Sequence, residues 1–68
     1  MPIAFRDAIL KLKLSDGVTT GINQISDEII LYRGGAEVGR ITRSEVDDSL
    51  AQRRVDEIIG KLEAQNNA

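Results

Sequence analysis

The chain has 68 residues, 41% of them apolar and 29% charged, with a net charge of −2 at neutral pH. That balance belongs to a globular rather than a disordered protein, and a chain this short buries only about 60% of the surface it exposes when unfolded. It contains no cysteine and no histidine, so disulfides and the ordinary zinc and iron ligand sets are excluded, and self-association remains as the usual source of added stability for so small a domain.

No apolar run approaches the roughly 18 residues that span a bilayer. The N-terminus, Met-Pro-Ile-Ala-Phe-Arg-Asp, lacks the basic and then apolar regions of a secretory signal, which implies a cytoplasmic protein. Residues 2–8 fit two descriptions: Ile3, Phe5 and Ile9 either extend a first strand or form a short helical turn after Pro2. Leu10, Leu12 and Leu14 then alternate with Lys11 and Lys13, the period-two pattern of a half-buried strand. A three-residue Ser15-Asp16-Gly17 loop pairs Leu14 with Val18, Leu12 with Thr20 and Leu10 with Ile22. That register gives one apolar face and one face of Lys11, Lys13, Thr19 and Gly21, with Gly17 in a left-handed conformation.

Ser26-Asp27 marks the next turn. Beyond it, Gly34-Gly35 separates two β-rich runs and matches the two-residue type I′ loop of a hairpin. The regular register pairs Arg33 with Ala36, Tyr32 with Glu37, Leu31 with Val38 and Ile30 with Gly39. Ile29, Leu31 and Val38 then share one face, and Ile30, Tyr32 and Ile41 the other. Both faces are partly apolar, which predicts a hairpin covered on two sides. Gly21 and Gly39 mark bulges or close approaches within these strands.

The C-terminal segment is helical by its stripe of Ala51, Val55, Ile58, Ile59 and Leu62. Thr42 and Glu45 have the spacing of a capping box that starts a helix near Arg43, whereas Asp48 or Ser49 suits a later start. Val46 and Leu50 lie about 120° or more from the centre of the stripe. They therefore belong either to the connection from the sheet or to a second apolar helix face. Gly60 costs the helix about 1 kcal/mol against alanine unless a backbone approaches there. These elements predict one α+β domain over residues 1–68: an antiparallel β-meander of about four strands (about 8–42), a C-terminal α-helix packed on it (about 44–64) and a frayed tail (65–68).

Chemistry is sparse. The glycines at 34 and 39 stand five apart before Arg40, but the Lys-Ser/Thr pair of a phosphate loop is missing and no helix starts there. Asp47 and Asp48 are adjacent, so on a helix they diverge by about 100° and do not share a proton. Acids at a helix start explain Glu45, Asp47 and Asp48 without a metal. The expected protein is thus non-enzymatic, with no cofactor and no metal.

Two apolar hairpin faces and two apolar helix directions point instead to a protein–protein interaction module. It is expected to form a homodimer and to regulate, inhibit or assist a larger protein, through Ile30, Tyr32 and Ile41 on the outer sheet face extended by Val46 and Leu50. The alternative is a nucleic-acid-binding accessory that uses Lys11, Lys13, Arg33, Arg40 and Arg43. Residues 1–43 carry six Lys/Arg against five Asp/Glu and residues 44–68 three against six, so the sheet is mildly basic and the helix acidic.

Overall fold

Phe5, Ala8, Ile9 and Leu12 recur at the spacing of one helical face, and they open the fold as a helix, α1 (Phe5–Lys11). Asp7 in its first turn and Lys11 in its last complement the helix dipole. In the computed structural model, which describes residues 3–66, α1 is followed by β1 (Val18–Asn23), β2 (Glu28–Arg33), β3 (Ala36–Thr42), a short α2 (Arg43–Asp47) and α3 (Ala51–Asn66). The α+β class is as expected: an antiparallel meander in the order β1-β2-β3 with helices packed on it.

The sheet has three strands rather than about four. The missing one is the Leu10–Leu14 segment. Leu10 belongs to α1 and is largely exposed, while Leu12 and Leu14 follow in extended chain and pack on the core. Their period-two pattern is real, but the backbone partner is not a strand. The Lys13 N–H donates to Gln52 Oε1 at 2.7 Å, and Gln52 Nε2 donates to the Lys13 carbonyl at 3.0 Å. One side-chain amide on α3 therefore satisfies the main-chain groups that a sheet ladder would otherwise take. The Ser15-Asp16-Gly17 turn forms as expected, with Gly17 at φ 83° and the Val18 N–H bonded to the Ser15 carbonyl. Pro2 lies outside the described residues.

The Gly34-Gly35 loop is the expected type I′ turn, both glycines being left-handed at φ 61° and 82°. Arg33 pairs with Ala36 and Tyr32 with Glu37 as the regular register requires. Beyond them the register shifts between Leu31 and Tyr32, so that Leu31 pairs with Gly39, Ile30 with Arg40 and Ile29 with Ile41. This bulge at Val38 turns the rest of β3 over. Ile41 leaves the outer face and joins Ile29 and Leu31, all three without solvent exposure.

Those three side chains form the floor of the core, roofed by Phe5 and Ala8 of α1, Val46 of α2, and Ala51, Val55 and Ile58 of α3. Ile59 and Leu62 pack against its margin, as the helical stripe predicts. The capping box is complete, Thr42 Oγ1 accepting from the Glu45 N–H while Glu45 Oε1 accepts from the Thr42 N–H. The single predicted helix is nonetheless broken. After α2 the chain turns through Asp48 and Ser49, Ser49 taking φ 62°, and α3 restarts at Ala51. This break resolves the mismatch between Val46 and the later stripe, because separate axes let both face one core. α3 continues through Asn66, and positions 67 and 68 of the tail lie outside the described residues. Gly60 has open space where a Cβ would stand, so no backbone approaches it.

Candidate functional site

The five predicted interface residues do not form one surface. Ile41 and Val46 are core, at 0% and 2% exposure. The bulge turned the first inward, and the α2–α3 turn aims the second at the sheet. Leu50 is exposed in the α2–α3 turn, remote from Ile30 and Tyr32 in both face and element. Ile30 and Tyr32 do share the outer sheet face with Thr19, Gly21, Arg40 and Glu37, given the strand pairings.

That face carries no helix, since every helix contributes to the cluster under Ile29, Leu31 and Ile41. Side chains of the sheet cover part of it. Arg40 stands opposite Ile30 and donates from Nε to Glu37 Oε2 at 2.8 Å and from Nη1 to Glu28 Oε1 at 3.1 Å. Arg40 thus links an acid on each of the two strands beside Ile30, which is only 7% exposed. Tyr32 lies beside Gly21, where an added Cβ would meet its Cε2 at 3.1 Å. The missing side chain at Gly21 therefore makes room for the ring.

The basic residues are equally dispersed. Lys11 ends α1 and Lys13 sits in the extended segment, so they do not share a strand face. Arg33 is half-buried at the hairpin end, and the bulge places Arg40 on the opposite side of the sheet from it. Arg43 starts α2 with its guanidinium 3.8 Å from the centroid of the Phe5 ring, a cation–π contact. It donates to both Asp27 carboxylate oxygens at 3.0 and 3.1 Å and also to the Ile3 carbonyl. Arg40 and Arg43 thus have their charge and donors engaged within the chain. Among the described residues no group of three or more acidic side chains is arranged to hold a metal ion, and no helix is long and apolar enough to cross a membrane.

The two borders of the sheet are finished differently, a feature that the sequence reading missed. On β3 the Val38 bulge disturbs the ladder, the Arg40 carbonyl accepts from Arg54 Nε at 3.2 Å, and the Thr42 N–H is taken by Glu45. Charged Glu37 and Arg40 also lie on this strand. These are recognised devices for blunting an edge. β1, Val-Thr-Thr-Gly-Ile-Asn, has no charge, no proline and no bulge. Beside it Ile22 and Ile25 are 46% and 99% exposed. The signal was available in the sequence as an uncharged β-prone run, but its position at the border was not. No known protein family matches the chain, and neither a curated protein nor a solved structure matches it.

The ion pairs make the fold acid-sensitive in a defined direction. Hydrogen bonds from Arg43 hold the Asp27 carboxyl below its usual 3.8, and those from Arg40 hold Glu37 below its usual 4.5. A carboxyl group whose pKa is depressed by folding stabilises the fold above its unfolded value, and that contribution is lost as pH falls through the folded value. The melting temperature should therefore hold from pH 7 to about pH 5 and decline at lower pH as Glu37 and Asp27 titrate. Circular dichroism melts across this range check it. Arg40→Gln should make the decline shallower, and an unchanged profile in that variant would remove Glu37 as one of its sources.

Proposed function

We propose that this chain is a non-enzymatic protein–protein interaction module of the cytoplasm. In this proposal it self-associates as a homodimer and regulates, inhibits or assists a larger protein or assembly. The observation that carries the proposal is the unequal finish of the sheet, closed along β3 and open along β1, with Ile22 and Ile25 standing in solvent beside the open border. An unblunted edge flanked by apolar side chains favours contact with another chain.

The nucleic-acid alternative has less support, because Arg40 and Arg43 are neutralised by Glu28, Glu37 and Asp27 and the remaining cations do not converge. Light scattering across concentration separates the two. A mass that rises to that of a dimer, together with no binding of mixed-sequence oligonucleotides at low salt, is the expected result. A monomer at every concentration would overturn self-association, and oligonucleotide binding that weakens steeply with salt would favour the alternative.

A further inference from the structure

We infer that two copies of this chain join edge to edge through β1, antiparallel and centred on Thr20, so that their sheets run together as one. This inference rests on the self-association proposed above and specifies the surface and register.

The register follows from the hydrogen-bond alternation of antiparallel strands. In a two-residue hairpin the pair that closes the loop exchanges its N–H and carbonyl groups. Arg33, and with it Leu31 and Ile29, therefore directs its main-chain groups toward β3. Tyr32, Ile30 and Glu28 direct theirs toward β1, where their partners are Thr19, Gly21 and Asn23. Val18, Thr20 and Ile22 must then direct theirs outward. An independent contact agrees: the Val18 N–H bonds the Ser15 carbonyl rather than β2.

The outward groups that remain are the Val18 carbonyl and both groups of Thr20 and Ile22. Among the described residues none of these has a main-chain partner outside the β1–β2 ladder. Four of these five groups find partners in a symmetric arrangement centred on Thr20. With a twofold axis through Thr20, the Thr20 N–H donates to the carbonyl of the partner's Thr20 and the reverse. The Ile22 N–H donates to the carbonyl of the partner's Val18, again reciprocally. The Val18 N–H is held by Ser15, so the Ile22 carbonyl of the other copy, which it would serve across the ladder, stays open to water.

Moving either strand by one residue sets outward groups opposite inward ones and breaks every bond, whereas a two-residue shift keeps the alternation but sets the exposed Ile22 opposite the partner's Thr20 instead of its Val18. The Thr20-centred register keeps faces matched. Val18, Thr20 and Ile22 all lie on the helix-bearing side, so the exposed Ile22 meets the partner's Val18 across the join, and Thr19 meets the partner's Gly21 on the outer side. The strand carries no charge, so self-pairing brings no like charges together. A charged foreign strand would gain nothing from such an edge beyond main-chain bonds, and the second copy is the occupant that completes it. An interface this narrow belongs to the weak class, with a dissociation constant on the order of 1–100 µM.

Thr20→Pro tests the inference directly. It removes the N–H at the twofold axis but no bond to β2, and proline is tolerated on edge strands where the N–H faces outward. The variant should keep the wild-type circular dichroism spectrum while its dimer dissociation constant rises by about 100-fold or more in sedimentation equilibrium. Because the chain has no cysteine, Thr20→Cys gives a second readout that does not depend on proline. Across the pairing the two Cα atoms stand about 5.5 Å apart, within disulfide reach. Mild oxidation should cross-link this variant to a dimer, whereas Gln24→Cys in the β1–β2 turn should stay monomeric. A wild-type dimer that survives Thr20→Pro and fails to cross-link through Thr20→Cys would overturn the β1 edge while leaving self-association intact. A wild-type chain that stays monomeric to about 1 mM, well above the expected constant, would overturn both.

Discussion

Ile41→Ala should destabilise the protein by about 2–5 kcal/mol, the range for truncating a large aliphatic side chain in a packed core. Ile41 has no solvent exposure and lies between Ile29 and Leu31 on the sheet and Val46, Val55 and Ile58 on the helices. A domain of this size loses about 4–8 °C in melting temperature per kcal/mol, so the variant should melt at least about 8 °C below the wild type. Ile30→Ala, on the outer face and outside that cluster, should cost clearly less. Urea unfolding of both variants makes the comparison. In the unbulged register Ile41 would share the face of Ile30, and equal losses would argue for that register.

Gly39→Ala should cost about 1–3 kcal/mol, the range for forcing an extra methyl into a filled core. A Cβ at this position would lie 2.7 Å from Ile58 Cγ1 and 3.1 Å from Cγ2, both well inside ordinary contact. Ile58 cannot swing aside, because it is itself buried against the sheet. The glycine is what lets α3 settle onto the bulged strand. Ile58→Val or Ile58→Ala in the same chain should recover much of the loss, so that the double-mutant cycle is strongly non-additive. Additive losses would mean that the backbone moves to admit the methyl group and that the close approach is not tight.

Both predictions turn on the bulge at Val38, which Gly39 marked in the sequence as a bulge or close approach without giving the register that follows from it. The type I′ turn was legible because only glycine tolerates two successive left-handed positions without cost, and the first pairs after it followed from loop length alone. The shift at Val38 is a tertiary choice. It leaves one residue unpaired, and in return Ile41 enters the core and Gly39 comes to face Ile58. The expectation that both hairpin faces needed cover arose from Ile41 sitting on the wrong side. With Ile41 turned inward, the outer face holds Ile30 opposite the ion-paired Arg40 and Tyr32 beside Gly21.

The N-terminal segment shows the same division. Ile3, Phe5 and Ile9 fitted either a helical turn or the start of a strand, and Leu10, Leu12 and Leu14 carried a strand signal just after them. Local periodicity could not rank them, since seven residues of helix are marginal on their own. Packing of Phe5 and Ala8 onto the sheet decided for helix, and Gln52, 39 residues away, took up the Lys13 backbone.

By itself, then, the sequence determined the features that depend on near neighbours: the α+β class, the Gly34-Gly35 turn, the Thr42–Glu45 cap, and the α3 stripe from Ala51 to Leu62. Each is set by backbone sterics, short-range hydrogen bonds or helical periodicity, which act over a few residues. Only the tertiary structure decided the β3 register, the break between α2 and α3, the helical state of α1 and which border of the sheet stays open. These depend on contacts between residues far apart in the chain, where volume and main-chain satisfaction in the assembled core outweigh local preference.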